Sequence, residues 1–429
     1  MEALTEEVVF EKYPIYKDSG VEWLGEVPEH WMVSKVKFQI SSQKGKNPKS
    51  ISVEPTENIY LSMDYLRGRG QAIQYVNSKK DLIEVLDGDL LLLWDGANAG
   101  EFITGKQGIL SSTMALITIN VVNKDYCKYF FKAIEMQLRA YTVGMGIPHV
   151  NGNQFSNLLF LLPKPVEQIA IAKFLDSKSA QINQAIAQKE KQIELLKERR
   201  QVLIHKAVTR GLNPGVPLQD SCVVWIGEIP EHWSIANNSS LFSERKESGD
   251  SSLPLLSVSI HTAVSSEELS DEDNIRGKIR IEDKTSYKLV EVNDIAFNMM
   301  RAWQGAIGAV STKGMVSPAY IVAKPKTEIN SEFFEYQYRT RTFIQQMDRF
   351  SKGITDFRKR LYWPEFKQLK TIVPPLREQI QIVEFIKVNS EKTDAAIAFK
   401  EKEIEKLKEY KTTLINNAVT GKIKVRQPK

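Results

Sequence analysis

Two stretches of this chain occur twice, in the same order. Residues 18–31 read DSGVEWLGEVPEHW and residues 220–233 read DSCVVWIGEIPEHW, an offset of 202. Residues 163–209, running from Pro163 through EQIAIAKF to AVT, return as 374–420, from Pro374 through EQIQIVEF to AVT, an offset of 211. The filling between the paired motifs is therefore nine residues longer in the second copy. Solenoids and propellers repeat with periods of about 20–50 residues, so a repeat roughly four times longer means a duplicated domain. A matching frame with divergent filling is the layout expected of a reader that inspects two different things at a fixed separation.

Composition sets limits on that reading. A chain of 429 residues, 42% apolar and 26% charged, lies in the ordinary globular range and has room for two to four domains. Its longest apolar runs, such as Leu90 to Trp94, fall far short of the roughly 18 residues of a membrane span. The start, MEALTEEVVF, lacks a basic segment followed by an apolar core, so a cytoplasmic protein with no membrane partner is expected. Cys127 and Cys222 are the only cysteines and neither has a CxxC partner, which argues against zinc or disulfides and for reduced structural thiols. A net charge of +5 is compatible with a polyanionic partner but too mild to establish one.

Each copy reads as three parts. The opening motif, with two Trp, a Gly and a Pro, predicts a tight turn pinned by aromatic rings. His30 and His232 stand between Glu and Trp in both copies, and an identical context around a lone His points to packing or hydrogen bonding rather than catalysis. The middle parts, about 34–160 and 236–372, alternate strand-like runs (Leu90 to Trp94, Met114 to Asn120, Leu255 to Ile260, Ala319 to Ala323) with helical stretches at Tyr126 to Tyr141 and Ser331 to Phe350. Each is expected to be a mixed α/β (α+β) domain. Each ends in a loop of its own character, Gly144 to Asn153 in the first and Lys352 to Arg360 in the second.

The third part is a long helix, opened by Glu-Gln after proline and closed by Gly211 or Gly421. Its apolar seam runs Ile186, Ile193, Leu196 and Leu203 in the first copy and Ile397, Ile404, Leu407 and Leu414 in the second, a heptad spacing. Lys189 with Lys400, and Arg200 with Lys411, interrupt the two seams at matching places; they are expected to snorkel, to pair with Glu across the seam, or to contact a partner. Two such helices can bury each other's stripe as an antiparallel two-helix coiled coil. The repeat then becomes a pseudo-twofold, the two middle domains lie at opposite ends of a dumbbell, and the first opening motif lies beside the end of the second helix, bringing the two termini together.

The search for chemistry returns absences. There is no GxxxxGK[ST] phosphate loop, no GxGxxG after a strand, no Asn-Pro-Pro-aromatic tetrapeptide and no HExxH. Asp95-Gly96-Ala97-Asn98-Ala99-Gly100 resembles an anion-binding loop only loosely, and a plain turn explains it. No catalytic residue, metal site or cofactor is therefore assigned. What remains suits nucleic acid. Arg67 and Arg69, like Arg276, Lys278 and Arg280, lie in Gly-bearing turns after the first strand of each middle domain, where they could hold phosphate or read guanine. Arg301 stands in Asn298-Met299-Met300-Arg301-Ala302-Trp303-Gln304-Gly305, which combines amide, guanidinium and indole groups. The same residues are also what an ordinary solvated surface carries.

Together the opening motif, the FNMMRAWQGAIGAVSTKGMVSPAYIV stretch at 297–322, the FRKRLYWPEFKQL stretch before VPPLREQ and the two AVT turns resemble the specificity subunits of type I restriction-modification systems over nearly the whole chain. The first copy departs in Pro163-Lys164-Pro165-Val166 and in Ile147-Pro148-His149-Val150. The resemblance implies a non-catalytic protein that binds double-stranded DNA. It also implies two modification subunits, which use S-adenosylmethionine, and two restriction subunits, which use ATP. Each target-recognition domain would read half of an asymmetric split site, with the helices as the ruler. The divisions expected are domain 1 over 1–162, helix 1 over 163–212, domain 2 over 213–373 and helix 2 over 374–429. The loops that vary with target then add His149, Asn151 and Asn153, and Lys352, Arg358, Lys359 and Arg360, to the DNA-contacting set. A self-contained nuclease or methyltransferase is disfavoured by the missing motifs, and a coiled-coil adaptor leaves the Arg- and Asn-bearing loops unexplained.

Overall fold

The computed structural model of the chain describes residues 10–69, 73–120, 122–144, 146–250, 252–266, 286–353 and 359–426. They form two compact units, one of residues 1–189 with 402–429 and one of residues 190–401, so each long helix is shared between units. Both units are mixed α/β, and both use the same plan.

In the first unit a four-stranded antiparallel sheet runs in the order Phe102–Thr104, Leu90–Leu93, Met114–Ile119, Ile40–Lys44. The strand Leu90–Leu93 shows no alternation because both of its faces are covered. Leu90 and Leu92 enter the large core with Phe102, Phe130 and Phe131, while Leu91 and Leu93 enter a smaller one with Leu61, Leu110 and Met114. A small sheet of Tyr60–Leu61, Gly108–Leu110 and Glu84–Val85, the first pair parallel, closes that smaller core. The helix Lys124–Ala140 covers the other face. Asn123 caps it by accepting from the Asp125 and Tyr126 N–H groups, and Tyr126, Cys127, Phe130, Phe131, Ile134 and Leu138 form its buried stripe.

The second unit repeats this with Ile307–Ala309, Ile295–Asn298, Tyr320–Pro325 and Phe242–Glu244 in the main sheet. Its strand Ile295–Asn298 is again covered twice, by Phe297 in one core and Ala296 in another. The stretch expected as one helix over Ser331 to Phe350 is two, Ser331–Tyr338 and Arg341–Phe350. The break is held both from outside and locally. The Arg339 guanidinium donates to the Ile260 and His261 carbonyls, and the Thr340 hydroxyl donates to the Gln337 carbonyl.

The long helices run unbroken over Pro165–Arg210 and Leu376–Val419. Every expected seam residue is withdrawn from solvent. Ile193, Ile397, Ile404 and Leu414 are buried, and Ile186, Leu196, Leu203 and Leu407 half-buried. The interrupting cations pair across the helices: Lys189 with Glu403 at 2.8 Å and Lys411 with Asn183 at 2.9 Å in the first unit, Arg200 with Asp394 at 2.6 Å in the second. Partner numbers fall on one helix as they rise on the other, so the pairing is antiparallel.

The repeated Glu-Gln ties each helix start to its domain. Gln168 accepts from the Asn123 N–H and donates to the Pro163 carbonyl; Gln379 accepts from the Asn330 N–H and donates to the Pro374 carbonyl. The glutamates take the opening motifs. Both oxygens of Glu167 lie 3.0 Å from His30 Nε2, and Glu378 accepts from Trp233 Nε1 at 3.0 Å while lying 2.7 Å from His232 Nε2. The two histidines are therefore architectural, as their shared context indicates. At the helix ends Gly211 and Gly421 take positive φ, and a Cβ on Gly421 would strike Pro28 at 2.3 Å. The end of the second helix thus lies on the first opening motif, and the Glu11 carbonyl accepts from the Lys424 N–H at 2.7 Å. The segments near the two termini are neighbours, as the repeat requires.

Candidate nucleic-acid interface

In both units the strand at the centre of the main sheet ends in a tight turn, and a later loop folds against that turn. In the first, residues 94–100 close on Gly100 at φ +93; in the second, residues 299–305 close on Gly305 at φ +95. A side chain at either glycine would be strained by its φ and crowded by the following helix, by Arg139 or Ile344 respectively. The loops dock by the same hydrogen bond. The Val150 N–H donates to the Trp94 carbonyl and the Leu361 N–H to the Met299 carbonyl, both at 2.8 Å. Just before that bond, His149 pairs with Val143 and Arg360 with Lys352 in matching β-bridges. His149 and Arg360 hold equivalent places on equivalent scaffolds.

The side chains on this shared scaffold differ. In the first unit Asp95 sits between Lys44 and His149. Its Oδ1 is 2.7 Å from His149 Nδ1 and its Oδ2 is 2.7 Å from Lys44 Nζ. Burial alone would raise the Asp95 carboxyl, but its hydrogen bonds to Lys44 and His149, with the Lys44 charge, outweigh it and hold the group below its ordinary range. Arg67 lies 2.5 Å from Glu101, the residue that follows the turn, and Glu101 also takes Arg139 at 3.5 Å. In the second unit Met300 and Arg301 occupy the turn, both exposed. Lys359 is held by Asp348 at 2.7 Å and lies over the Trp303 ring at 5.2 Å; Lys352 pairs with Glu365 at 2.5 Å; and Arg360 donates to the Lys359 carbonyl.

The sequence candidates divide accordingly. His149, Arg67, Arg301, Lys352, Lys359 and Arg360 gather on the two turn-and-loop platforms. Asn151 has a structural task, capping the helix Gly152–Asn157 by accepting from the Gln154 N–H, and Asn153 accepts from the Asn157 side chain. Arg67 is the C-cap of the short helix Met63–Leu66 and stands with Gly68 in the turn that follows it, and Arg69 is exposed just beyond. Arg276, Lys278, Arg280 and Arg358 lie outside the described residues. Sequence reading missed Lys44 and the role of Asp95 as a cation holder. The repeat offset of 202 carries Lys44 onto Lys246, a signal that aligning the two copies shows. Among the described residues no three His, Cys, Asp or Glu side chains are grouped to hold a metal ion, and no helix is long and apolar enough to cross a membrane.

Comparison with known proteins follows the same division of the chain. The family described as type I restriction modification DNA specificity domain matches twice, over residues 28–195 and 223–409. The type I restriction enzyme MjaVIII specificity subunit of Methanocaldococcus jannaschii is 31% identical over 93% of this chain and 94% of its own length. A putative type I restriction enzyme MjaX specificity subunit of the same organism is 23% identical over 94% of this chain and 96% of its own. A chain from a structure described as showing complex assembly and conformational transition of the type I R-M system shares the fold. Its TM-score is 0.61 at 12% identity, covering 92% of this chain and 98% of that one. Matched in both copies by one family and along its length by these relatives, the chain belongs to the specificity subunits of type I restriction-modification systems.

Proposed function

We propose that this protein is the sequence reader of its system, binding double-stranded DNA at a split, asymmetric site. Each unit's turn-and-loop platform reads one half-site, and the paired long helices set the unread gap between them. The observation that carries the reading is the matched pair of platforms. The glycine that closes each turn, the docking hydrogen bond and the β-bridge before it correspond, while the side chains presented differ: His149 with Lys44 and Arg67 in one, Arg360 with Lys352, Lys359 and Arg301 in the other. Corresponding scaffolds with different side chains are suited to reading two different sequences, since phosphate contacts position a protein and base-edge contacts specify the site.

The chain does no chemistry of its own in this reading. Two modification subunits dock on the helices and domains and carry out methyl transfer, and two restriction subunits complete the cleaving complex. The test uses purified chain, cognate modification subunit, S-adenosylmethionine and a randomised duplex library. Methylation confined to a two-part site is expected with both proteins present, and none with either alone. Methylation without sequence preference, or turnover by this chain free of other subunits, would overturn the proposal.

A further inference from the structure

Asp95 is an acid on a surface proposed to face a polyanion, and it was not among the residues expected to touch DNA. Its side chain is only 17% exposed, whereas His149 and Lys44, one on each of its oxygens, keep 47% and 45% of theirs open. The carboxylate is thus covered by its own two partners, whose far sides are free to meet a ligand. An ionised carboxylate can only accept hydrogen bonds. His149 Nδ1, at 2.7 Å from it, must therefore be the nitrogen that bears the proton, and the hydrogen bond at one ring nitrogen settles the state of the other. Among the described residues His149 Nε2 makes no hydrogen bond, so in the neutral ring it presents a lone pair outward.

We propose that Asp95 is a positioning residue for base recognition by the first unit: it fixes the His149 ring so that Nε2 accepts a hydrogen bond from an exocyclic amino group of adenine or cytosine. This rests on the DNA-reading function proposed above. Those amino groups are the donors that the major groove displays, whereas guanine O6 and N7 and thymine O4 only accept there. Lys44, held on the other carboxylate oxygen, supplies the neighbouring phosphate contact that sets the ring's distance from the base edge. Among the described residues the second unit has no counterpart to this arrangement. Met300 stands at the position matching Asp95 and Arg360 at the position matching His149, and a guanidinium can only donate. The two platforms are thereby matched to opposite hydrogen-bonding edges.

The experiment compares wild-type chain, Asp95→Asn, His149→Ala and the double variant. Each is assembled with the modification subunit on a randomised duplex library, and sites are read by methylation. In the wild type, one position of the first half-site should prefer A or C on the strand read, and the library tells which. Asparagine can accept from Nδ1 or donate to it, so both ring tautomers become available. Asp95→Asn should therefore lower discrimination at that one position by about tenfold, with bases that accept hydrogen bonds gaining. His149→Ala should relax the same position, and the double variant should be no worse than His149→Ala. The second half-site is the internal control for folding and assembly and should be unchanged throughout.

An unchanged preference in Asp95→Asn alongside a relaxed one in His149→Ala would overturn the positioning role. So would a loss spread evenly over all sequences, which is the signature of a phosphate contact alone, or equal damage to both half-sites. An unaffected His149→Ala would remove the base contact itself. A wild-type complex that shows no site preference would instead refute the DNA-reading function on which the proposal stands.

Discussion

The two copies answer the same physical question differently at one buried atom, and that difference predicts unequal responses to one substitution. Trp31 and Trp233 are both buried, at 0% and 2% exposure. The Trp233 indole N–H donates to Glu378 at 3.0 Å, whereas Trp31 Nε1 has no partner because Glu167 is turned with both oxygens toward His30. Replacing either tryptophan by phenylalanine removes a similar volume from a similar pocket, so the packing losses nearly cancel in the comparison. What does not cancel is the N–H. Trp233→Phe gives up a hydrogen bond to a charged acceptor, worth about 1.5–3 kcal/mol, while Trp31→Phe removes an unsatisfied buried donor that costs the native state about 1–3 kcal/mol.

Trp233→Phe should therefore be harsher than Trp31→Phe by at least about 2 kcal/mol, or roughly 30-fold in a local opening equilibrium. Because the chain has two compact units, global unfolding would blend them. Backbone hydrogen exchange read separately on residues 165–175 and 376–386, where each motif clasps its helix, keeps them apart. Faster exchange by about that factor is expected at the second helix start in Trp233→Phe, with little change or slower exchange at the first in Trp31→Phe. Equal acceleration in both copies would show that the indole N–H groups do not differ as described.

Other consequences are equally direct. Burial raises the Glu335 carboxyl, with the Ala309 N–H and the Arg339 and Lys387 charges opposing; its contribution is present below the ordinary carboxylate range and lost as pH rises through the raised value. Glu335→Gln keeps an acceptor for that N–H, so its thermal stability relative to wild type should be greater near neutral pH than below about pH 4, and a pH-independent difference would contradict this. Cys222 sits at φ +55 where the first copy has Gly20 at φ +80. Cys222→Gly should gain about 0.5–1 kcal/mol, the left-handed penalty less the added chain entropy, as checked by denaturant unfolding followed in residues 218–228. Inserting one heptad after Glu194 and one after Glu405 keeps the seam spacing and lengthens each helix by about 10 Å. In the methylation assay the preferred gap should lengthen by up to roughly three base pairs with both half-sites unchanged, and an unmoved optimum would mean the helices are not the ruler.

The sequence by itself determined the parts whose cause is periodic or repeated. The duplication fixes that one fold occurs twice, and the heptad spacing of Ile186 and Ile193, or Ile397 and Ile404, fixes which helix face is buried, because side chains three and four residues apart lie on one face whatever they pack against. The opening histidines were legible as structural for a related reason, since a motif kept in a duplicated frame serves the frame. Tertiary structure decided what depends on residues far apart in the chain. The break between Tyr338 and Arg341 is held in part by carbonyls near residue 260, and the orientation of His149 by an aspartate 54 positions earlier. Arg67 lost its apparent freedom to Glu101, and Asn151 its amide to a helix cap, because each found a partner that no local pattern announces. Only folding brings the 94–100 turn against the 143–153 loop. Which charges pair with one another, and which stay open to solvent, is a property of that contact and not of either segment.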